Sequence, residues 1–229
     1  MATRSARVSR APARRTTRRA DGELTRARVV DAAVRCILDI GYYQASSNAI
    51  AREAGVTWGT IQHQFGTREA LLLEVLEEGL ADLDRLLATA QVTGATLEDR
   101  LLSVFELLER HYGRPEQLVH IQILLDLSAD PDTSDSTRRA LQRHGRALSR
   151  AWNPFFVQAM GEAGHDAELS AFVFLTLRGY LTSNLLTSRV RSVGRSPAVR
   201  NLLVRGVASA VEARARELGV TLDPAPTRV

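Results

Sequence analysis

Residues 46–65 read SSNAIAREAGVTWGTIQHQF. Two short segments with helical apolar spacing flank a glycine, and each begins at a hydroxyl residue. Ser46 stands where a side-chain oxygen can accept from the free backbone N–H groups of a helix running to about Ala54, and Thr57 can do the same for a helix reaching Phe65. Gly55 supplies the positive φ that a tight turn between them needs. Helix, glycine turn, helix is the helix-turn-helix layout. Ala51 is small where the helices cross, and Val56, Ile61 and Phe65 fix the second helix to a core. With Ile61 at the centre of the buried face, a step of about 100° per residue sends Gly59 and His63 away from the core and puts Gln62 on the flank. Trp58 falls in the first turn, at the helix end that enters a DNA groove in this layout.

Outward from this stretch the pattern stays helical. Val29, Val30, Ala32, Ala33, Cys36, Ile37 and Ile40 form one apolar stripe, and Gly41 follows where helices favour glycine. Thr67 caps a long amphipathic helix to about Ala88, with Glu69 at its positive end. Further helices are expected at about 96–112, 115–128, 134–162, 166–187 and 197–218. Pro197 suits a first helical turn, and Pro154 is expected to kink or split the 134–162 segment. No stretch alternates with period two. The expected fold class is all-α: a disordered basic arm (1–20), a three-helix unit holding the helix-turn-helix (21–66), a larger helical body (67–220), which the resemblance described next implies is the ligand-binding and dimerisation domain, and a frayed C-terminus (221–229) with Pro224 and Pro226.

Residues 24–72 resemble the TetR family of transcriptional regulators. The likeness rests on Gly41-Tyr42, Ile50-Ala51, Ala54-Gly55-Val56, Thr57-Trp58-Gly59-Thr60-Ile61, His63, Phe65 and Thr67-Arg68-Glu69-Ala70-Leu71. It implies an all-helical homodimer that binds a palindromic double-stranded DNA operator, a small-molecule effector that releases the DNA, and a cytoplasmic, nucleoid-associated protein. It also implies that Ser46, Thr57, Trp58, Gly59, Thr60, Gln62, His63 and Arg68 approach DNA. The chain departs from the family pattern at Ala49, where an acidic residue commonly closes a capping box, at Gln62, where Tyr is frequent, and at Trp58, where Lys is common.

The composition supports this reading from another side. Of 229 residues, 45% are hydrophobic and 24% charged, which is enough apolar matter for a core. No uninterrupted apolar run reaches the 18 or so residues of a membrane span, so no membrane partner is expected. One cysteine, Cys36, excludes a disulfide framework and a multi-cysteine zinc site. All 30 basic residues are arginine, which reflects GC-rich coding at least in part. Their placement is more informative. The first twenty residues hold seven arginines (Arg4, Arg7, Arg10, Arg14, Arg15, Arg18, Arg19) and no acid, leaving 23 arginines against 26 acids in the rest. A secretory signal fails for lack of an apolar segment; an organelle transit peptide and a phosphate-binding arm both fit the composition. The helix-turn-helix that follows favours the arm, because residues 21–66 carry Arg26, Arg28, Arg35 and Arg52 against five acids and have no positive excess of their own.

No catalytic motif is present. The five histidines (63, 111, 120, 144 and 165) form no H-E-x-x-H and no i, i+4 pair, and neither a phosphate loop nor a G-x-S-x-G elbow occurs. The expectation is therefore a non-enzyme with no cofactor and no metal; a helical adaptor and a DNA-binding regulator without an effector are the alternatives. In the body, Tyr112, His120, Trp152, Phe155, Phe156 and Thr176 are the candidate ligand-site residues, with Gln122, Phe172 and Asn184 as further polar or aromatic possibilities; Trp152, Phe155 and Phe156 cluster beside Pro154. Segment 166–187 is apolar nearly all round and must be buried on more than one side. Segment 197–218 carries an apolar stripe with Gly206 in it. Two copies of this pair would make a four-helix dimer interface, with Phe172, Tyr180, Leu202, Leu203, Gly206 and Ala210 in the seam.

Overall fold

Helix α1 (Ala13–Ile40) opens the chain and already corrects the sequence reading. It begins well before the apolar stripe that opens at Val29, so residues 13–20 of the arm are helical rather than disordered. Alanine and arginine are good helix formers, and neither glycine nor proline intervenes before Gly22. Once the buried stripe at 29–37 nucleates the helix, adding turns to its end costs little. The computed structural model describes residues 13–187 and 196–223. The remainder of the arm and residues 224–229 of the expected frayed end lie outside the described residues.

The chain divides into two compact units, Met1–Leu71 and Leu72–Val229, a boundary five residues beyond the one read from sequence. In the first unit α1 packs on α2 (Ser47–Ala54), which packs on α3 (Trp58–Phe65). Val29, Ala32, Ala33 and Ile37 of α1, Ile50 and Ala51 of α2, and Ile61 and Phe65 of α3 are buried. Cys36 is buried with them, and burial raises its thiol pKa, which keeps it protonated and inert.

Helix α4 (Arg68–Leu87) starts at the Thr67 cap, whose hydroxyl accepts from the Ala70 N–H at 3.1 Å. The second unit adds α5 (Leu97–Tyr112), α6 (Glu116–Ala129), α7 (Asp135–Met160), a 3-10 turn (Gly161–His165), α8 (Ala167–Thr187) and α9 (Pro197–Leu218). Thr96 and Asp99 close a reciprocal capping box at the start of α5. The core is assembled from Val104, Phe105 and Leu108 of α5, Trp152 and Phe156 of α7, Val173 and Leu177 of α8, and Val207 and Val211 of α9. Among the described residues no strand occurs.

Three sequence expectations change here. Pro154 lies inside α7 without splitting it. The carbonyl that loses its partner belongs to Arg150, four residues back, and both positions are exposed, so water can satisfy it. Residues 221–223 are held rather than frayed: the buried Arg100 side chain donates to the carbonyls of Leu222 and Ala159, each at 2.8 Å. Finally, α8 is long and apolar enough to cross a membrane by length and composition, with mean hydropathy 1.2 over Ala167–Leu186. Small neutral residues such as Ser170, Thr176 and Gly179 break any continuous apolar run without lowering that mean much, which is why counting runs missed it. In this fold α8 is a core helix, buried through Leu169, Val173, Leu177, Leu181 and Leu185 and packed on α5 and α9.

Candidate nucleic-acid interface and body cavity

The local geometry of the first unit follows the turn chemistry of its sequence. Ser46 Oγ accepts from the Ala49 N–H at 3.2 Å, and Thr57 Oγ1 accepts from the Thr60 N–H at 3.2 Å. Gly55 adopts φ 64°, and the Val56 N–H reaches back to the Ala51 carbonyl at 3.0 Å, which ends α2 and turns the chain into α3. An alanine at Gly55 would be strained by that φ and would press on the Arg28 guanidinium.

With Ile61 and Phe65 buried, α3 presents Trp58, Gly59, Gln62 and His63 outward, and Ser46 and Thr57 are exposed at the helix starts. Trp58 is 53% exposed, unusual for so large an apolar ring. Thr60 is half-buried and shares a 3.0 Å hydroxyl contact with Thr57. Seven of the eight expected DNA-contact residues thus lie on α3 or at the starts of α2 and α3. Arg68 stands apart: it donates to the Tyr42 carbonyl at 3.0 Å and stacks on the Tyr42 ring at 4.4 Å, so it fastens the turn after α1 to the start of α4.

Three of the four arginines between residues 21 and 66 also serve the fold. Arg26 donates to the Gln64 carbonyl at 3.0 Å and covers Phe65, Arg28 donates to the Ala54 carbonyl at 2.7 Å, and Arg35 pairs with Glu53 at 2.8 Å. The sequence showed only that these charges were balanced by acids. The attachment of Arg26 and Arg28 to helix-end carbonyls came from the tertiary fold.

The body encloses a cavity of about 460 Å³ between α6, α7, α8 and the 3-10 turn. Leu124, Leu141, Leu148, Trp152, Phe156 and Phe174 supply apolar wall; His144, Asn153, Ser170 and Arg178 supply polar groups. Trp152 and Phe174 have ring centroids 6.4 Å apart, and Phe156 and Phe174 6.3 Å. Two of the expected ligand residues, Trp152 and Phe156, line it. The other four, Tyr112, His120, Phe155 and Thr176, are not among its lining residues. Tyr112 is buried one layer behind, where its hydroxyl accepts from the Trp152 indole N–H at 3.2 Å. Phe155 follows Trp152 by three positions and is turned into the core. His120 lies against Gly79 of α4.

His144 and Arg178 are the site residues that sequence reasoning missed. Arg178 did leave a signal, as the only charge in α8 after Glu168. Its guanidinium lies 4.9 Å from the Tyr112 ring and 5.7 Å from that of Phe174. Burial, with Arg178 nearby, lowers the His144 pKa and favours the neutral imidazole.

The expected dimer seam is sorted into two faces. Phe172, Leu175 and Leu186 of α8 and Val199 and Leu202 of α9 are exposed large apolar residues. Gly206 is exposed too, and a Cβ there would meet open space, so it closes no gap within this chain. Ala210 is half-buried. Tyr180 and Leu203 are partly buried against the chain's own core, and Val207 and Val211 of α9 belong wholly to it.

A buried α2–α3 corner with one solvent-facing side defines a helix-turn-helix protein built on an all-helical scaffold. Residues 29–75 match the family model for bacterial regulatory proteins, tetR family, so this unit is a TetR-family helix-turn-helix domain. Among curated proteins, the chain is 31% identical over 126 residues to the HTH-type transcriptional regulator BetI of Agrobacterium fabrum, covering 55% of this chain and 60% of that one. It is 29% identical over 85 residues to the Fatty acid metabolism regulator protein of Bacillus subtilis, covering 37% and 42%. The chain thus spans 60% or less of the length of these relatives. Among solved structures, a transcriptional regulator from Rhodococcus shares the fold at TM-score 0.61 and 15% identity, over 84% of this chain and 96% of that one. FadR from Bacillus subtilis in complex with stearoyl-CoA does so at 0.58 and 19%, over 81% and 96%, and the multidrug binding protein EbrR complexed with ethidium at 0.57 and 19%, over 82% and 98%.

Proposed function

We propose that this chain is a ligand-responsive DNA-binding transcriptional regulator, a repressor that grips a palindromic operator as a homodimer and lets go when a small molecule enters the body cavity. The observation that carries the reading is the surface of α3. Ile61 and Phe65 anchor the helix, while Trp58, Gly59, Gln62 and His63 face solvent with no structural task that would explain an exposed tryptophan. Gln62 is suited to pair bidentately with adenine, and Thr57, Thr60 and Trp58 to meet a phosphate or a thymine methyl. Ser46 and Arg68 stand at the flanks, as phosphate-side contacts. With Arg26, Arg28, Arg35 and Arg68 engaged in the fold, attraction for DNA comes mainly from helix N-termini and the arginine-rich arm.

The homodimer reading is supported by the exposed apolar residues on α8 and α9, which need cover. Two recognition helices on one face of a duplex sit about 34–36 Å apart, or a multiple of that. The effector reading is supported by the cavity, whose volume falls in the usual range for small-molecule sites. Solved neighbours with bound stearoyl-CoA or ethidium add to it. Such a protein needs no cofactor and works in the cytoplasm on the nucleoid.

Selection of bound fragments from the organism's genome tests the proposal, repeated with cell extract. The expected result is an inverted repeat with half-sites one helical turn apart, released by an extract component. Recovery without release would leave a regulator lacking an effector. Random recovery at every salt concentration would overturn DNA recognition and favour a helical adaptor.

A further inference from the structure

We propose that the body cavity selects a small amphiphilic anion: a single carboxylate on an apolar chain or ring system, held by Arg178 and His144. The inference rests on the reading of the cavity as an effector site and adds the chemistry of the effector.

Charge and hydrogen bonding decide the class. No acidic residue lines the cavity, and Arg178 is its only full charge. Among the described residues no carboxylate lies within ion-pair distance of Arg178; its guanidinium rests instead on the Tyr112 and Phe174 rings. A half-buried cation resting on aromatic faces at the cavity wall, without a counter-charge, is matched best by an anion that arrives from outside. The planar fork of arginine suits a carboxylate, which it can grip through two parallel N–H donors. A second group points the same way. His144 Nδ1 is buried with no hydrogen-bond partner, which is rare for a ring nitrogen and unexplained by the fold. His144 lines the cavity, and in the neutral ring that burial favours, a turn of the imidazole brings the proton-bearing Nδ1 to the second carboxylate oxygen.

The walls and the volume set the rest of the molecule. Leu141, Leu148, Trp152, Phe156 and Phe174 make an apolar surface that rewards hydrocarbon. The cavity volume of about 460 Å³ lies in the range of small-molecule sites and accommodates a medium-length monocarboxylate. A lipophilic cation would meet the Arg178 charge with no acid to receive it.

The test is isothermal titration of the full chain with decanoate, decanol and decyltrimethylammonium, each below its micelle concentration. Decanoate should bind about 10- to 100-fold more tightly than decanol, the range of a charge-assisted hydrogen bond, and the cation should not bind. Arg178→Met should abolish that preference while keeping decanol binding, and Arg178→Lys should retain a weaker preference for the anion. Should the Met variant fail to fold, the selectivity of the native chain and of the Lys variant decides. Equal or tighter binding of decanol or of the cation by the native chain overturns the anion assignment and leaves the cavity a ligand site. Binding of none of the three, with DNA binding intact, overturns the anion assignment and the effector reading together.

Discussion

At the scale of single residues, the recognition helix separates side chains by task. Gln62 is exposed on α3 and makes no contact that the fold requires. If it reads an adenine, Gln62→Ala should cost about 1–3 kcal/mol at the preferred operator and relax one symmetric base position. Titrations against operators varied base by base check this; a loss uniform across sequences would assign Gln62 to phosphate. Gly79 of α4 is a second residue with one clear reason. A Cβ there would overlap the ring of His120 from α6. Gly79→Ala should destabilise the body by about 1–3 kcal/mol from overpacking, even against the better helix propensity of alanine. The midpoint of urea unfolding reports it, and an unchanged midpoint would mean that the ring can move aside.

Whole helices answer to their faces. α9 buries Val204, Val207, Ala208 and Val211 within the chain and turns Leu202 outward at 64% exposure. Leu202 is therefore a cleaner probe of a dimer seam than Leu203, which also packs on the chain's own core. Leu202→Glu should shift the dimer toward monomer at micromolar concentration without lowering thermal stability of the monomer, and sedimentation equilibrium can follow it. A variant that stays fully dimeric would move the interface off this face. α8 behaves likewise: its buried stripe holds the body together, while Phe172, Leu175 and Leu186 remain for a partner.

Over the whole molecule, protons and charge are distributed in ways that can be measured. Burial, reinforced by neighbouring histidines and opposed by Asp82, lowers the pKa of His111 and of His120 from 6.5 to about 4. The unfolded chain takes up protons at these histidines as pH falls through 6.5, and the folded chain only near 4. Their contribution to stability is full above 6.5 and is lost as pH falls from there to about 4. The loss should be on the order of 1 kcal/mol per histidine at about pH 5.5. Urea unfolding at pH 7.5 and at about 5.5 measures it, and His120→Gln should remove about half of the difference. Charge is concentrated at the other extreme of the chain. Removing residues 2–12, which hold Arg4, Arg7 and Arg10, should lower the slope of log K against log salt for DNA binding by about 0.9 for each phosphate that these arginines neutralise. An unchanged slope would make this part of the arm a bystander.

The sequence by itself determined much of the local structure: where α2, α3, α4 and α5 start, because Ser46, Thr57, Thr67 and Thr96 act on backbone groups within a few residues, and where the turn falls, because Gly55 alone tolerates its φ. It also determined the outward face of α3, since one anchored residue and the helical period fix the rest. What it could not determine depends on which surfaces meet. Apolar spacing on α9 is the same whether a residue faces its own core or a second copy, so Val207 and Leu202 looked alike until α5 and α8 covered one of them. The aromatic cluster at 152–156 was legible, but only packing turned Trp152 and Phe156 to the cavity and Phe155 to the core. Arg178 and His144 lie on different helices, 34 residues apart in sequence. Nothing in either segment foretells the other, and only the tertiary arrangement of α7 and α8 brings them to one cavity.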